Sequence, residues 1–168
     1  MATEDASTYP LTSFNFLVSL TLDNPGPLQV TTPLCSGEFS ECDGLDMTVE
    51  PKTFREGGNN TRQVHLVGAV TYGNLSLKRG MTDSQDLWKW FNAAVGNPSG
   101  PVRRGALAAA EIVMRDAAGA DRVRYRLYDC LPIKLKAAPM HAKDGVVAIE
   151  EMQIAYSYFT IESVSAPQ

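Results

Sequence analysis

Ser13-Phe14-Asn15-Phe16-Leu17-Val18-Ser19-Leu20-Thr21-Leu22 alternates in polarity almost throughout. Phe14, Phe16, Val18, Leu20 and Leu22 fall on one parity, and Ser13, Asn15, Ser19 and Thr21 on the other, broken only by Leu17. Successive side chains of a strand point to opposite faces, so the stretch predicts a half-buried strand with one face in a core. Asn24-Pro25-Gly26-Pro27 stops it, because the prolines remove donors and the glycine permits a turn. Period two then recurs along the chain. A strand is expected over residues 37–42, and strands resume at Val64, Leu66 and Val70 and again at Leu75 and Leu77, with Thr71-Tyr72-Gly73-Asn74 as the turn between them.

Between these strands the periodicity vanishes. Residues 43–62 read DGLDMTVEPKTFREGGNNTR, with seven formal charges and Gly44, Pro51, Gly57, Gly58, Asn59 and Asn60 as breakers. A loop of that length in a compact domain usually carries function.

One helix is expected. Thr82 and Gln85 have capping-box spacing, and Asp83 suits the positive end of the dipole. Leu87, Trp88, Phe91, Ala94 and Val95 form an apolar stripe, which Gly96-Asn97-Pro98 ends. Trp88 belongs to that stripe, whereas Trp90 is expected to be partly exposed or packed on a neighbouring molecule. A lone amphipathic helix among strands should cover an open end of the sheet.

A hairpin follows, with arms at 107–116 and 122–136 joined at Ala118-Gly119-Ala120. In the second arm Val123, Tyr125, Leu127, Leu131, Ile133 and Leu135 share one parity, and Arg122, Arg124, Arg126, Lys134 and Lys136 the other. The cationic row reads either as a solvated face or as a lining toward a polymer or another subunit. Pro132 cannot donate to a ladder, so the arm is broken or at an edge there. The last strand, 146–161, is apolar on both parities, which implies a second covering layer. The expectation is a mainly β protein: a small antiparallel barrel or sandwich of seven or eight strands with one amphipathic helix, in a single domain over 1–168 with short flexible termini.

Composition narrows the function. With 168 residues the chain is about one domain long. Lys and Arg number 15 against 19 Asp and Glu, a net charge of −4, which argues against duplex-DNA binding. No apolar stretch is long enough to span ~30 Å of hydrocarbon, so stable membrane insertion is not expected. The acidic start Met1-Ala2-Thr3-Glu4-Asp5 lacks the pattern of a signal peptide, giving an expectation of synthesis in the bacterial cytoplasm. Cys35, Cys42 and Cys130 lack C-x-x-C spacing and read as reduced, buried thiols.

Catalytic chemistry is missing. His65 sits in an alternating strand and His141 in a turn-rich segment. No H-E-x-x-H or paired Cys/His cluster is present, so no metal or other cofactor is expected. Cys130, Asp129 and His141 could be drawn as nucleophile, orienter and base, but a buried structural thiol is the stronger reading. Arg55-Glu56-Gly57-Gly58-Asn59 could form an anion-holding nest, although no helix follows it. No enzyme is expected.

The run Phe39-Ser40-Glu41-Cys42-Asp43-Gly44-Leu45, then Val49-Glu50 and Phe54-Arg55-Glu56-Gly57-Gly58-Asn59-Asn60, resembles the tail-tube protein family of contractile-tailed bacteriophages and extracellular contractile injection systems. Residues 75–82 (LSLKRGMT), 87–90 (LWKW), 131–134 (LPIK) and 147–155 (VAIEEMQIA) continue the likeness in order, across most of 14–160. At Tyr128-Asp129-Cys130 the sequence departs from the more aromatic or amide-rich segment expected there.

The resemblance implies hexameric rings stacked into a rigid hollow tube inside a contractile sheath, ending in a virion or phage-tail-like particle. It implies that the 43–62 loop reaches across subunits and rings. The contact residues would be Gly44, Leu45, Glu50, Phe54, Arg55, Glu56, Gly57, Gly58 and Asn59, with Lys78, Arg79, Gly80 and Trp90 of the helix region. Further copies of the chain, the sheath, the baseplate and spike, a tube terminator and luminal cargo are the implied partners. Two alternatives stand: an adaptor ring joining tube to spike, and a monomeric barrel binding a small apolar ligand.

Overall fold

The computed structural model describes residues 11, 13–22, 34–37, 39–54, 57–58, 62–96, 107–140, 143 and 145–164. The first strand forms as expected in β1 (Phe16–Leu22), with Val18, Leu20 and Leu22 buried. Phe14 precedes it in a turn and is 68 % exposed, so the inward parity starts two residues later than the sequence suggests. There follow β2 (Cys35–Gly37), β3 (Glu41–Asp43), β4 (Met47–Val49), β5 (Lys52–Phe54), β6 (Val64–Leu66), β7 (Val70–Tyr72) and β8 (Asn74–Gly80). Helix α1 (Asp86–Val95) comes next, then β9 (Ala108–Arg115), β10 (Asp121–Lys136), β11 (Ile149–Ala155) and β12 (Tyr158–Ser163).

Eight strands form one antiparallel sheet in the order β2-β1-β9-β10-β11-β8-β3, with β12 also paired to β10. The path of ladders ends at β2 and β3 and does not close into a barrel among the described residues. The sheet curls instead. Val18 and Leu20 of β1, Leu75 and Leu77 of β8, Leu127 of β10 and Met152 and Ile154 of β11 all join one buried cluster. These side chains fill the interior, where the ligand-barrel alternative requires a cavity.

The curl is made by β10. It pairs with β9 and β12 along its first part and with β11 along its last. Leu127 is buried and so is Cys130, three residues on, because the register shifts between them and Asp129 takes a φ of +53°. Asp tolerates that left-handed geometry better than most residues. A second shift between Pro132 and Lys134 restores the parity, leaving Ile133 43 % exposed and Leu135 packed on the core. A bulge adds a residue to one strand and bends it. The expected shared parity of Val123, Tyr125, Leu127, Leu131, Ile133 and Leu135 is therefore wrong at Leu131 and Ile133, while the register does break beside Pro132.

The 146–161 strand is two strands. β11 buries Met152 and Ile154, Tyr156-Ser157 bends, and β12 turns Phe159 toward the core instead. Both parities are apolar because the inward face changes at the bend, so the double burial needs no second layer. The expected 37–42 strand likewise divides. β2 joins β1, and β3 joins β8 at the far end of the sheet.

The helix begins three residues later than the capping box implies. Gln85 occupies the N-cap position without a side-chain cap, and Thr82 Oγ1 accepts the Ser84 N–H at 3.4 Å. Asp86, held by the Ser84 hydroxyl at 2.7 Å, is the acid of the first turn in place of Asp83. Gly96 closes the helix through its N–H on the Asn92 carbonyl, and Asn97 and Pro98 lie outside the described residues. Leu87 and Trp90 are buried and the helix packs against β10. The β9–β10 hairpin turns where expected, with Asp116 accepting the N–H groups of Ala118 and Ala120. Those bonds, the Ala120 one foremost, and Arg122 hold the Asp116 carboxyl below its usual range.

Candidate assembly surfaces

The segment expected to be a 43–62 loop is half of a two-stranded arm. β4 pairs with β7 through Met47–Tyr72, Thr48–Thr71 and Val49–Val70, and β5 with β6 through Lys52–Leu66, Thr53–His65 and Phe54–Val64. The register moves by one residue between the two ladders. Pro51 cannot donate there, and the Gly68 backbone passes so near the Glu50 carbonyl that a Cβ would stand 1.9 Å from its oxygen. Gly57 and Gly58 form part of the tip; Arg55, Glu56, Asn59 and Asn60 lie outside the described residues. Periodicity failed to reveal the outgoing half, 43–62, because both of its strands are exposed on both faces; the returning half lies where strands were expected at Val64, Leu66 and Val70.

Exposure is what sets this arm apart. Met47, Val49, Phe54, Leu66, Val67 and Val70 are all at least 40 % exposed, Val67 reaching 83 %. A lone two-stranded ribbon is marginally stable in water, and its unpaired edges invite pairing with another chain. A ribbon with this much bare apolar surface marks an interaction site.

The arm is anchored at its root. Gly44 has a φ of +94°, and a Cβ on it would meet the Asn74 carbonyl oxygen at 2.0 Å. Gly73 donates to the Asp46 carbonyl at 3.3 Å. The Tyr156 hydroxyl proton is shared between the carbonyls of Gly44 at 2.9 Å and Asp46 at 3.2 Å. Tyr72 completes an aromatic cluster, 5.9 Å from both Tyr156 and Phe159. Gly44 and Leu45, expected as contact residues, are half-buried at this root, Leu45 packing on the core.

Lys78, Arg79 and Gly80 divide by strand parity. Lys78 points outward and is bound to Glu41 at 2.9 Å, while Gly80 pairs with Ile149 at the strand end. Arg79 points inward, which corrects its expected contact role. Its Nε is bonded to Glu150, its Nη1 donates to Cys35 Sγ at 3.1 Å, and its carbon Cζ lies 6.0 Å from the Phe39 ring centroid. Nη2 is buried without a partner. Glu150, with 3 % of its side chain exposed, also lines an open cleft of about 510 Å³ with Met81, Thr82, Ser84 and Trp88. Sequence reasoning did not single out Glu150; its partner on β8 is two strands removed in sequence, and only the β11–β8 register brings them together. Trp90 is fully buried, so it belongs to this subunit's core and not to a contact.

The three arginines of the cationic row on β10 are paired with nearby carboxylates, and Lys134 lies 3.9 Å from Glu151. Arg122 pairs with Asp116, Arg124 with Glu111 and Asp121, and Arg126 with Glu111 and Glu162. The face is a self-neutralised lattice of ion pairs, each partly solvated and individually weak.

The nucleophile drawing does not assemble. Cys130 is buried, Asp129 is exposed beside it, and His141 lies outside the described residues. Burial, then the neighbouring Asp43 charge, pushes the Cys42 thiol up to about 11, and burial raises that of Cys35. A thiol shifted two units above its ordinary 9.0 carries about 100-fold less thiolate at pH 8. Iodoacetamide at pH 8 is therefore expected to alkylate Cys42 of the folded protein about 100-fold more slowly than in urea. Folded and unfolded rates within tenfold would show an accessible, ordinary thiol. The unfolded thiol ionises first, so alkali weakens the fold between pH 9 and 11.

Known structures share this fold. A chain of the anti-feeding prophage (AFP) baseplate, 6-fold symmetrised, aligns with a TM-score of 0.76 and 23 % identity, covering 95 % of this chain and 100 % of that one. A chain of the PVC extracellular contractile injection system sheath–tube complex in the extended state aligns at 0.73 and 18 %, over 94 % of each chain. Hcp1 from Salmonella typhimurium aligns at 0.50 and 18 %, over 89 % of this chain and 87 % of that one. No curated sequence matches the chain. The fold is that of subunits found in contractile injection particles. By sequence, residues 12–160 match the T4-like virus tail tube protein gp19 family, and the chain belongs to that family. It is a structural tube protein.

Proposed function

We propose that the chain, acting as one domain, builds hexameric rings that stack into a hollow tube within a contractile sheath. The exposed apolar arm carries this reading, since burying it needs a neighbouring copy. Among the described residues β2, β3 and β12 each lack a second ladder partner, and these edges support it too, because closed rotational symmetry can cover such edges. Glu50, Phe54, Gly57, Gly58, Lys78 and Gly80 are the described members of the proposed contact set, with Arg55, Glu56 and Asn59 beside them in sequence. The sheath, the baseplate and spike, and a terminator are the proposed partners, in a virion or phage-tail-like particle whose lumen holds cargo. The subunit is made in the bacterial cytoplasm and performs no catalysis. The similarity to chains of the AFP baseplate and the PVC sheath–tube complex supports these assignments.

Negative-stain electron microscopy over a concentration series tests the proposal. Rings or tubes with sixfold symmetry are the expected result. Phe54 is 56 % exposed, so Phe54→Asp is expected to leave the monomer's thermal unfolding unchanged and to abolish tubes. Monomers at every concentration, with and without baseplate components, would overturn the tube reading.

A further inference from the structure

The arm's apolar side chains can meet a neighbouring copy only if the arm leaves the body in a fixed direction, and one side chain is placed to fix it. Tyr156 stands where β11 hands over to β12, at the bend where the inward parity changes. The residue is 7 % exposed, and its ring lies 5.9 Å from Tyr72 on the returning strand of the arm and 6.0 Å from Phe159 on β12. Its hydroxyl donates to the Gly44 and Asp46 carbonyls on the segment that leads into β4. One residue thus grips both strands of the arm at the root and ties them to the crossing point of the sheet. Gly44 beside it leaves the chain no slack: its φ is +94°, and a Cβ on it would stand 2.0 Å from the Asn74 backbone oxygen.

We propose that Tyr156 is the residue that aims the 47–72 arm, and that its hydroxyl sets how readily one copy engages the next. This rests on the tube reading given above. In Tyr156→Phe the ring and its packing stay, and only the shared hydrogen bond is lost. A net hydrogen bond is worth a factor of roughly 3 to 10 in an equilibrium constant.

The test compares the full-length protein with Tyr156→Phe and with Ile154→Val, which trims the core two residues away without touching the arm. Three quantities are read: the melting temperature, the critical concentration for tube formation, and the exchange rates of the Gly73 and Glu50 amides, both of which bond within the arm. Tyr156→Phe is expected to raise the critical concentration and the two exchange rates by roughly threefold to tenfold. Ile154→Val is expected to lower the melting temperature comparably while leaving the critical concentration within about twofold. Equal critical concentrations for Tyr156→Phe and the unaltered protein would overturn the proposal, as would a matching rise in Ile154→Val. If the unaltered protein forms no tubes, the tube reading fails by itself. The exchange rates then decide the aiming role: faster exchange in Tyr156→Phe upholds the grip on the arm, and unchanged exchange refutes it.

Discussion

Glu150→Ala is expected to cost about 3–5 kcal/mol of folding stability, the range for stranding one member of a buried ion pair. The Arg79 side chain is 10 % exposed, and Glu150 is its one carboxylate partner among the described residues. Removing the carboxylate leaves a guanidinium whose remaining contacts are the Cys35 sulfur and the Phe39 ring face, with Nη2 already unbonded. Neither contact repays the lost hydration of a full charge. For a domain of this size the loss corresponds to roughly 10–15 °C in melting temperature. Arg79→Met combined with Glu150→Leu removes both charges and keeps most of the volume, so it is expected to recover most of the loss. Thermal unfolding of the single and double variants measures both. A Glu150→Ala variant within about 1 kcal/mol of the unaltered protein would mean that water reaches Arg79, contrary to its burial.

This pair also shows where sequence reading stops. Leu75, Leu77 and Arg79 share the inward parity of β8, and the alternation alone places Arg79 inside. The expectation of an outward contact came from grouping Lys78-Arg79-Gly80 as one unit, whereas strand geometry separates neighbours onto opposite faces. Glu150 could not be found the same way, because the β11–β8 register is set by a crossover that no local pattern encodes.

The strands with one buried face were legible as far as their parity held. β1, β9 and the β9–β10 hairpin are where alternation and turn chemistry put them. Legibility failed where the inward face changes along one strand with no such marker as Pro132, at Asp129 and at Tyr156-Ser157. Each change is a bulge or bend that lets a continuous chain serve both halves of a curled sheet. Read as a single strand, such a segment looks buried on both faces. The outgoing half of the arm, 43–62, was illegible for the opposite reason. Both of its faces are exposed, so no alternation marks it, and only the anomaly of a long unpatterned segment, and the family likeness of its residues, pointed to it.

The helix carries the second large effect. Trp90→Ala is expected to cost about 3–5 kcal/mol, against under about 1 kcal/mol for Trp88→Ala, although the two residues stand two positions apart. At 3.6 residues per turn each step rotates by about 100°. Measured from Leu87, Phe91 lies at about +40° and Ala94 at about −20°, so the buried stripe is centred near Leu87; Trp90 falls at about −60° and Trp88 at about +100°. Trp90 is therefore the inner indole, as its complete burial records, while Trp88 sits half-buried at the cleft beside Glu150. Val95, at about +80°, is 68 % exposed, which marks the same edge of the stripe. Truncating Trp90 opens a cavity the size of an indole between α1 and β10, and the surrounding strands, pinned by their ladders, can collapse into it only partly. Urea unfolding of the two variants separates the cases. Equal losses would mean that the core faces the midpoint between the two indoles, at about +20°, and that Trp88 is as buried as Trp90, contrary to their exposures. A larger loss at Trp88 would return Trp90 to the surface and restore it as a candidate contact between copies.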